Sequence, residues 1–489
     1  MKNYLLTSFL CLSTLFCGAQ ESTWLSDLIS IKDFRADFEL LTKVLEESHP
    51  GINFYTPEDE LYFMEQKMRN AERVITKQEA FARYAYFINE IKDGHTYISP
   101  GRALEEQVIR DGLFFPFTLR FIKESAYVDL NFVEGIDIPK GSEILAIDGM
   151  PIEQCLEQLL PYITNDGFNN KAKYAGLEGQ FWWFYALHFG LREKHHMAYL
   201  HPVSHKRMAV SVPAVSYLER QHVLSLVYDY GLSAEEHAVV SYDIDENVGY
   251  LRVSKFHGIS RYKYGRLLSE AFGTFQDAHV DALIIDVRQN GGGKEGFENM
   301  LMAHLDHDVK VKYDEVRLGA PRSSHYSNLD QSVFRRFEDH IYRLVEFRKS
   351  DDGKWERRKR FERTWREPRY KYHGMAYVLI DGEVFSGASE FAAMANDYGR
   401  RCILIGEETA GGYQCNNSGY FYKLKLPKTG FEVEIPRIHF DLNVCDQLNE
   451  GGVRPDIQVT SSYSDFVSGI DTQMRFTMNL IKQGIVMEE

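Results

Sequence analysis

Apolar positions in this chain repeat with two different periods, and the changes between them mark out its parts. Over 23–95 the spacing is helical. Phe34, Phe38, Leu41 and Val44 or Leu45 fall on one face, and His49-Pro50-Gly51 ends the run. Further helical stretches follow at about 58–73 and 77–92, with charged residues on their opposite faces. From 110 the period shortens. Phe114 to Phe121 and Ala126 to Phe132 alternate as half-buried strands do, and a helix is expected at 153–162. Trp182, Trp183, Phe184 and Tyr185 read as packing residues.

Beyond 247 the strands are continuous apolar runs, the pattern of a sheet buried on both faces. Asp281–Val287, Met375–Asp381 and Cys402–Ile405 are of this kind, Val248–Val253 reads as a further strand, and helices are expected at 261–277 and from Gly387. Strand-turn-helix units of this sort define an α/β domain. Residues 305–372 break the rhythm with mixed charges and interleaved Trp355 and Trp365. They are expected to form a solvated insertion.

One stretch carries candidate chemistry. In 375–412 a buried strand ends at Asp381-Gly382, and Ser386 stands where the next helix begins. A serine there can cap the helix through its hydroxyl. It can equally act as a nucleophile, with helix N-terminal N–H groups facing the oxyanion that forms. Gly387, lacking Cβ, lets a carbonyl approach the backbone. Ser389, one turn inward, reads as a packing or capping residue. A second Gly-rich turn, Asn290-Gly291-Gly292-Gly293, follows the strand at 281–287, and its spacing fits neither a P-loop nor a dinucleotide site.

Composition narrows the classes. The chain has 489 residues, 44% apolar and 26% charged, as globular proteins do. Its net charge of −15 argues against nucleic acid and anionic membranes as partners. Residues 1–19 read as a signal peptide: Lys2, an apolar stretch from Leu5 to Phe16, then Cys17-Gly18-Ala19. That stretch is too short to span a bilayer. The expected location is therefore exported, periplasmic or secreted, and bulky Phe16 weakens the lipoprotein alternative. Of the remaining cysteines, Cys402 reads as a buried thiol, and Cys415 and Cys445 leave a disulfide open. The four fit no zinc pattern.

Four motifs, in order, resemble the C-terminal processing (tail-specific) serine peptidases, which share a core with tricorn protease and the interphotoreceptor retinoid-binding protein repeats. They are Asp286-Val-Arg288-Gln-Asn290-Gly-Gly-Gly293, Ser386-Gly-Ala-Ser389-Glu390, Asp397-Tyr-Gly-Arg400 with Gly406-Glu-Glu-Thr409, and Glu450-Gly-Gly452-Val-Arg-Pro455-Asp456. Ile91-Lys-Asp93-Gly-His95-Thr96 also resembles the histidine segment of the tricorn-like branch, and 138–152 resembles the core of PDZ-like domains, which capture extended peptides.

The resemblance implies a ClpP/crotonase-like α/β core at 236–489, a helical domain at 20–105 and a PDZ-like module at 106–235. It implies Ser386 as nucleophile, His95 as general base, Glu450 as the carboxylate orienting that base, and Gly387 with Gly291 or Gly292 as the oxyanion hole. It implies a peptide or protein substrate and neither metal nor organic cofactor.

Two departures matter. The branch with a Ser–Lys dyad has a lysine just past G-E-x-T, where this chain has Gly411-Gly412. Lys423 and Lys425 lie farther on and read as surface charges. The tricorn-like branch has a serine before its histidine, where this chain has Gly94. The relay to His95 could then need another hydroxyl, such as Ser418, or Asp93 could serve instead. An exported serine peptidase is the first reading. A binding protein on the same scaffold is the second, and a crotonase-type acyl-CoA enzyme fits export poorly.

Overall fold

The computed structural model describes residues 26–484 apart from 71–72, 232–238, 310, 321–322, 330–340, 342–343, 352, 362–365 and 446–450. The signal peptide, Trp365 and Glu450 lie outside the described residues.

Three helices open the chain: α1 (Ile31–Ser48), α2 (Glu58–Arg69) and α3 (Lys77–Asn89). Ser30 and Thr76 cap α1 and α3 by accepting the N–H of Asp33 and Glu79. The apolar stripe read from the sequence is the buried face of α1, with Phe34, Phe38, Leu41, Val44 and Leu45 fully covered. A short strand β1 (Tyr97–Ser99) then leaves the helices and joins a sheet formed much later in the chain.

Next come strands β2 (Phe117–Ile122), β3 (Ser125–Asn131), β4 (Glu143–Ile147), β5 (Lys194–Leu200) and β6 (Arg207–Pro213), all antiparallel in the order β6-β5-β4-β3-β2. Helices α4 (Ile152–Leu159) and α5 (Asn170–Phe189) pack with them. The aromatic run 182–185 lies on α5, with Tyr185 buried and the other three rings partly buried against the same core.

The third part is the parallel sheet. Strands β7 (Val240–Asp245), β8 (Val248–Val253), β9 (Ala282–Asp286), β13 (Met375–Ile380), β14 (Cys402–Gly406) and β17 (Ile457–Gln458) stand side by side in that order, with only β7 antiparallel. Helices α6 (Arg261–Asp277), α7 (Gly387–Tyr398) and α8 (Thr472–Lys482) cover its faces. Every residue of β9 is buried, which is why it reads as an unbroken apolar run. Its terminal Asp286 is also fully buried and is neutralised by Arg288 and Arg252 at 2.7 and 3.1 Å. Arg288 reaches on to Asp471 at the start of α8.

The expected solvated insertion is corrected here. Within 305–372, strands β10 (Tyr313–Leu318), β11 (Phe347–Lys349) and β12 (Trp355–Arg357) pair with β15 (Cys415–Lys425) and β16 (Glu432–Leu442) in the order β11-β12-β10-β16-β15. Tyr313, Val316, Leu318 and Phe347 enter the core of the parallel-sheet unit. The charges alternate with these apolar residues, so the mixed composition conceals strands with one buried face. The possible disulfide is also absent: Cys415 and Cys445 are both free thiols.

The helical start is fastened to this second sheet by Asp37. Its buried carboxyl accepts the N–H of Lys428 at 3.1 Å, the N–H of Thr429 at 2.7 Å and the Thr429 hydroxyl at 2.8 Å. Asp37→Ala strands those donors, and a loss of about 1–3 kcal/mol is expected. A fall in the urea unfolding midpoint measures it, and an unchanged midpoint contradicts it.

Candidate active site

Ser386 lies between β13 and α7 with φ 56° and ψ −130°. A non-glycine residue at positive φ costs about 1–3 kcal/mol and persists only where its surroundings enforce it. The hydroxyl makes no capping hydrogen bond to α7. The capping role left open by the sequence is therefore not the one this serine performs. Ser389 is buried and donates to the carbonyl of Val384 at 3.2 Å, a packing role.

The turn around Ser386 is held from two sides. Phe385 donates its N–H to the carbonyl of Asn290 at 3.1 Å, which brings the 290–293 turn alongside. A Cβ on Gly292 would meet the Ser386 Cβ at 2.8 Å and the Gly387 nitrogen at 2.9 Å, so only glycine allows this approach. On the other side Ala410 and Gly411 donate to the carbonyl of Val384 at 3.0 and 3.2 Å. A Cβ on Gly411 would lie 2.9 Å from the Ser386 nitrogen.

The three candidate oxyanion glycines have different surroundings. The N–H of Gly292 is used by the Asn290 side chain at 2.8 Å. Gly291 is exposed, and Gly387 is the first residue of α7, where backbone N–H groups have no partner within the helix.

His95 comes from the other end of the sequence. Its ring lies tilted on the Phe385 ring, centroids 4.4 Å apart, and close to Phe421 at 5.9 Å. Its Nδ1 is buried and has no partner among the described residues. Burial holds the imidazole down at about 4, against the pull of the Asp93 and Glu390 charges, so the ring is neutral at pH 7.

Among the described residues no hydrogen bond joins Asp93 to this ring. The Asp93 carboxylate is buried and binds His49 Nε2 at 3.0 Å and the Thr96 hydroxyl at 2.5 Å. Gly51 donates to His49 Nδ1, which leaves the proton on Nε2, pointing at Asp93. Despite burial, these bonds keep the Asp93 carboxyl below the usual carboxylate range. Ser418 pairs with Ile438 in the sheet. Next to Glu450, Gly451 packs beside Glu408 and Asn169.

The missing serine before His95 has a steric reason. A Cβ on Gly94 would sit 2.5 Å from Cε2 of Phe385, so the ring that carries the histidine occupies the space a side chain would need.

Two groups of residues near the site were not legible in the sequence. One is a buried cluster beneath α7. Lys312 Nζ lies 2.6 Å from Glu298 Oε1 and 2.5 Å from Glu390 Oε2, and Tyr313 and Asn416 also donate to Glu390. Burial alone would lower the Lys312 ammonium, but the two carboxylates hold it above its ordinary value. The other is Asp166, whose oxygens receive the N–H groups of Gly94 and Gly412 at 2.8 and 2.9 Å. Burial and the Asp93 charge push its carboxyl up to about 8. Lys312 lies in the supposed insertion and Asp166 in an ordinary Asp-Gly turn, so spacing held no signal for either.

A strained, uncapped serine at the head of a helix, in a parallel α/β sheet and beside glycine turns, is a setting that suits a serine peptidase. The model of peptidase family S41 matches residues 247–459, so that part of the chain is similar to the family. Among solved structures, mature CPAF is similar at 16% identity, covering 92% of this chain and 96% of its own, with a TM-score of 0.61. Mature CPAF complexed with lactacystin is similar at 17%, covering 92% and 98%, with a TM-score of 0.63. The photosystem II D1 C-terminal processing protease gives 12%, 87% and 93%, with a TM-score of 0.41. At these identities the likeness to the two CPAF structures is one of fold. No curated sequence matches.

Gly94→Ser is expected to lower peptidase activity instead of restoring a relay. Overpacking of this kind costs about 1–3 kcal/mol and displaces the Phe385 and His95 rings. Turnover on a peptide substrate checks this, and unchanged or raised activity contradicts it.

Proposed function

We propose that this protein is an exported serine peptidase of the tricorn-like type, in which Ser386 is the nucleophile and His95 the general base. The observation that carries the reading is a strained serine without a capping bond, its neighbouring Phe385 ring covered by a neutral imidazole. Ser386 Oγ attacks the peptide carbonyl carbon while His95 takes the hydroxyl proton. The oxyanion faces the N–H groups of Gly387 and Gly291, since Gly292 already donates to Asn290. The imidazolium then protonates the leaving amine, the C–N bond breaks, and an acyl-enzyme remains. Water, deprotonated by His95, releases the acid product and restores the serine.

The antiparallel sheet of 117–213 is read as the PDZ-like module and would take an extended stretch of the substrate as an added strand. Export rests on residues 1–19. Among the described residues no helix is long and apolar enough to cross a membrane. The second reading, a binding protein on this scaffold, draws on the unpartnered Nδ1 of His95.

Fluorophosphonate labelling separates the two readings. The wild-type protein should be labelled on Ser386, and Ser386→Ala should be neither labelled nor active while keeping its circular dichroism. A wild-type protein that resists the probe favours the binding protein.

The acid limb of the pH profile gives a second test. His95 accepts a proton only when neutral, and its pKa is depressed to about 4. Activity is therefore expected to stay flat through the ordinary imidazole range and to fall only as pH drops towards that value. An inflection of kcat/KM near the unperturbed imidazole pKa, about 6.5, contradicts the buried-base geometry.

A further inference from the structure

The segment Thr164–Asn169, between α4 and α5, belongs to neither the helical start nor the parallel sheet, yet it bonds to both sides of the site. Towards the histidine, Asp166 Oδ1 accepts the Gly94 N–H, the Thr164 hydroxyl donates to the Gly94 carbonyl at 3.2 Å, and Gly167 donates to the carbonyl of Lys92 at 2.9 Å. Towards the serine, Asp166 Oδ2 accepts the Gly412 N–H and its own N–H donates to the carbonyl of Ala410 at 3.0 Å. Asn169 donates to the carbonyls of Glu408 and Thr409 at 3.2 and 3.1 Å. The 410–411 pair is in turn bonded to Val384, two residues before Ser386. Asp166 is 2% exposed, and its carboxylate oxygen, an Asp93 oxygen and a His95 ring nitrogen all lie within 4.8 Å of one another.

We propose that Asp166 is a positioning residue of the peptidase, whose single carboxyl holds the loop of the general base and the loop beneath the nucleophile in register. This rests on Ser386 and His95 acting as described above. The physical reason is that those loops, at Gly94 and Gly412, come from distant parts of the sequence and share no regular secondary structure at the site. A carboxyl accepting one N–H from each fixes their separation directly. Catalysis is steep in this distance, since a misplacement of about 1 Å costs on the order of 100-fold.

The test compares Asp166→Ala and Asp166→Asn with Asp37→Ala, a matched variant that loses a buried carboxyl bonded to the backbone N–H groups of Lys428 and Thr429, neither of which bonds to the 94 or 410–412 loop. For each, kcat, KM, the rate of fluorophosphonate labelling and the urea midpoint are measured alongside wild type and Ser386→Ala. Asp166→Ala is expected to lose about 100-fold in kcat and in labelling rate with KM little changed. Asp166→Asn keeps one acceptor and should lose only about 10-fold in kcat. Asp37→Ala should lose a similar amount of stability and keep its kcat. If the two alanine variants lose activity together, or if Asp166→Ala reacts at the wild-type rate, the positioning role is overturned. If the wild-type protein itself is not labelled, the peptidase reading fails first, and the two failures are told apart. If Asp166→Ala does not fold, Asp166→Asn carries the same comparison, and wild-type kcat in that variant overturns the role.

Discussion

The contact between the His95 and Phe385 rings is the constraint on which the site depends. It joins a residue that follows α3 to the one that directly precedes Ser386 and α7. Nothing local in either segment enforces the meeting. The short strand after His95 pairs with Glu432–Glu434, and the 164–169 segment closes the remaining side. The helical start is thus built into the same body as the parallel sheet.

These attachments are mostly polar and mostly buried. A buried polar group is costly unless it is hydrogen-bonded, so each of these bonds also specifies one arrangement over its neighbours. His49 with Asp93, Asn417 with His439, and Lys312 with Glu298 and Glu390 all follow this rule. The cluster under α7 has a further effect. Burial drives the His95 pKa down while Asp93 and, from this cluster, Glu390 draw it upward, and burial wins, leaving a neutral imidazole. Strain at Ser386 is tolerated because three turns fix it: 290–293, 384–385 and 410–411.

The parts of the fold that follow from local pattern were legible in the sequence. Strand 282–286 is buried throughout, so it reads as an apolar run, and α7 starts at the serine because a strand, a turn and an Ala-rich helical spacing follow one another. What was not legible depends on distant partners. Residues 305–372 look solvated because their strands bury only one face, against the core of the parallel-sheet unit. His49-Pro50-Gly51 reads as a helix stop, and only folding turns His49 towards Asp93. Asp166-Gly167 reads as a turn, which it is, but its carboxyl acts on residues 72 and 246 positions away. Gly94 looked like a defect in a motif, whereas a ring from residue 385 fills the space in front of it.

The most direct measurement is a crystal structure of the wild-type protein after reaction with a fluorophosphonate. The account predicts phosphorus bonded to Ser386 Oγ, one phosphonyl oxygen facing the N–H groups of Gly387 and Gly291, and a His95 ring nitrogen about 3 Å from another phosphonyl oxygen. Phosphorus on a different side chain, or a His95 ring turned away from the adduct with no other base beside it, would contradict it.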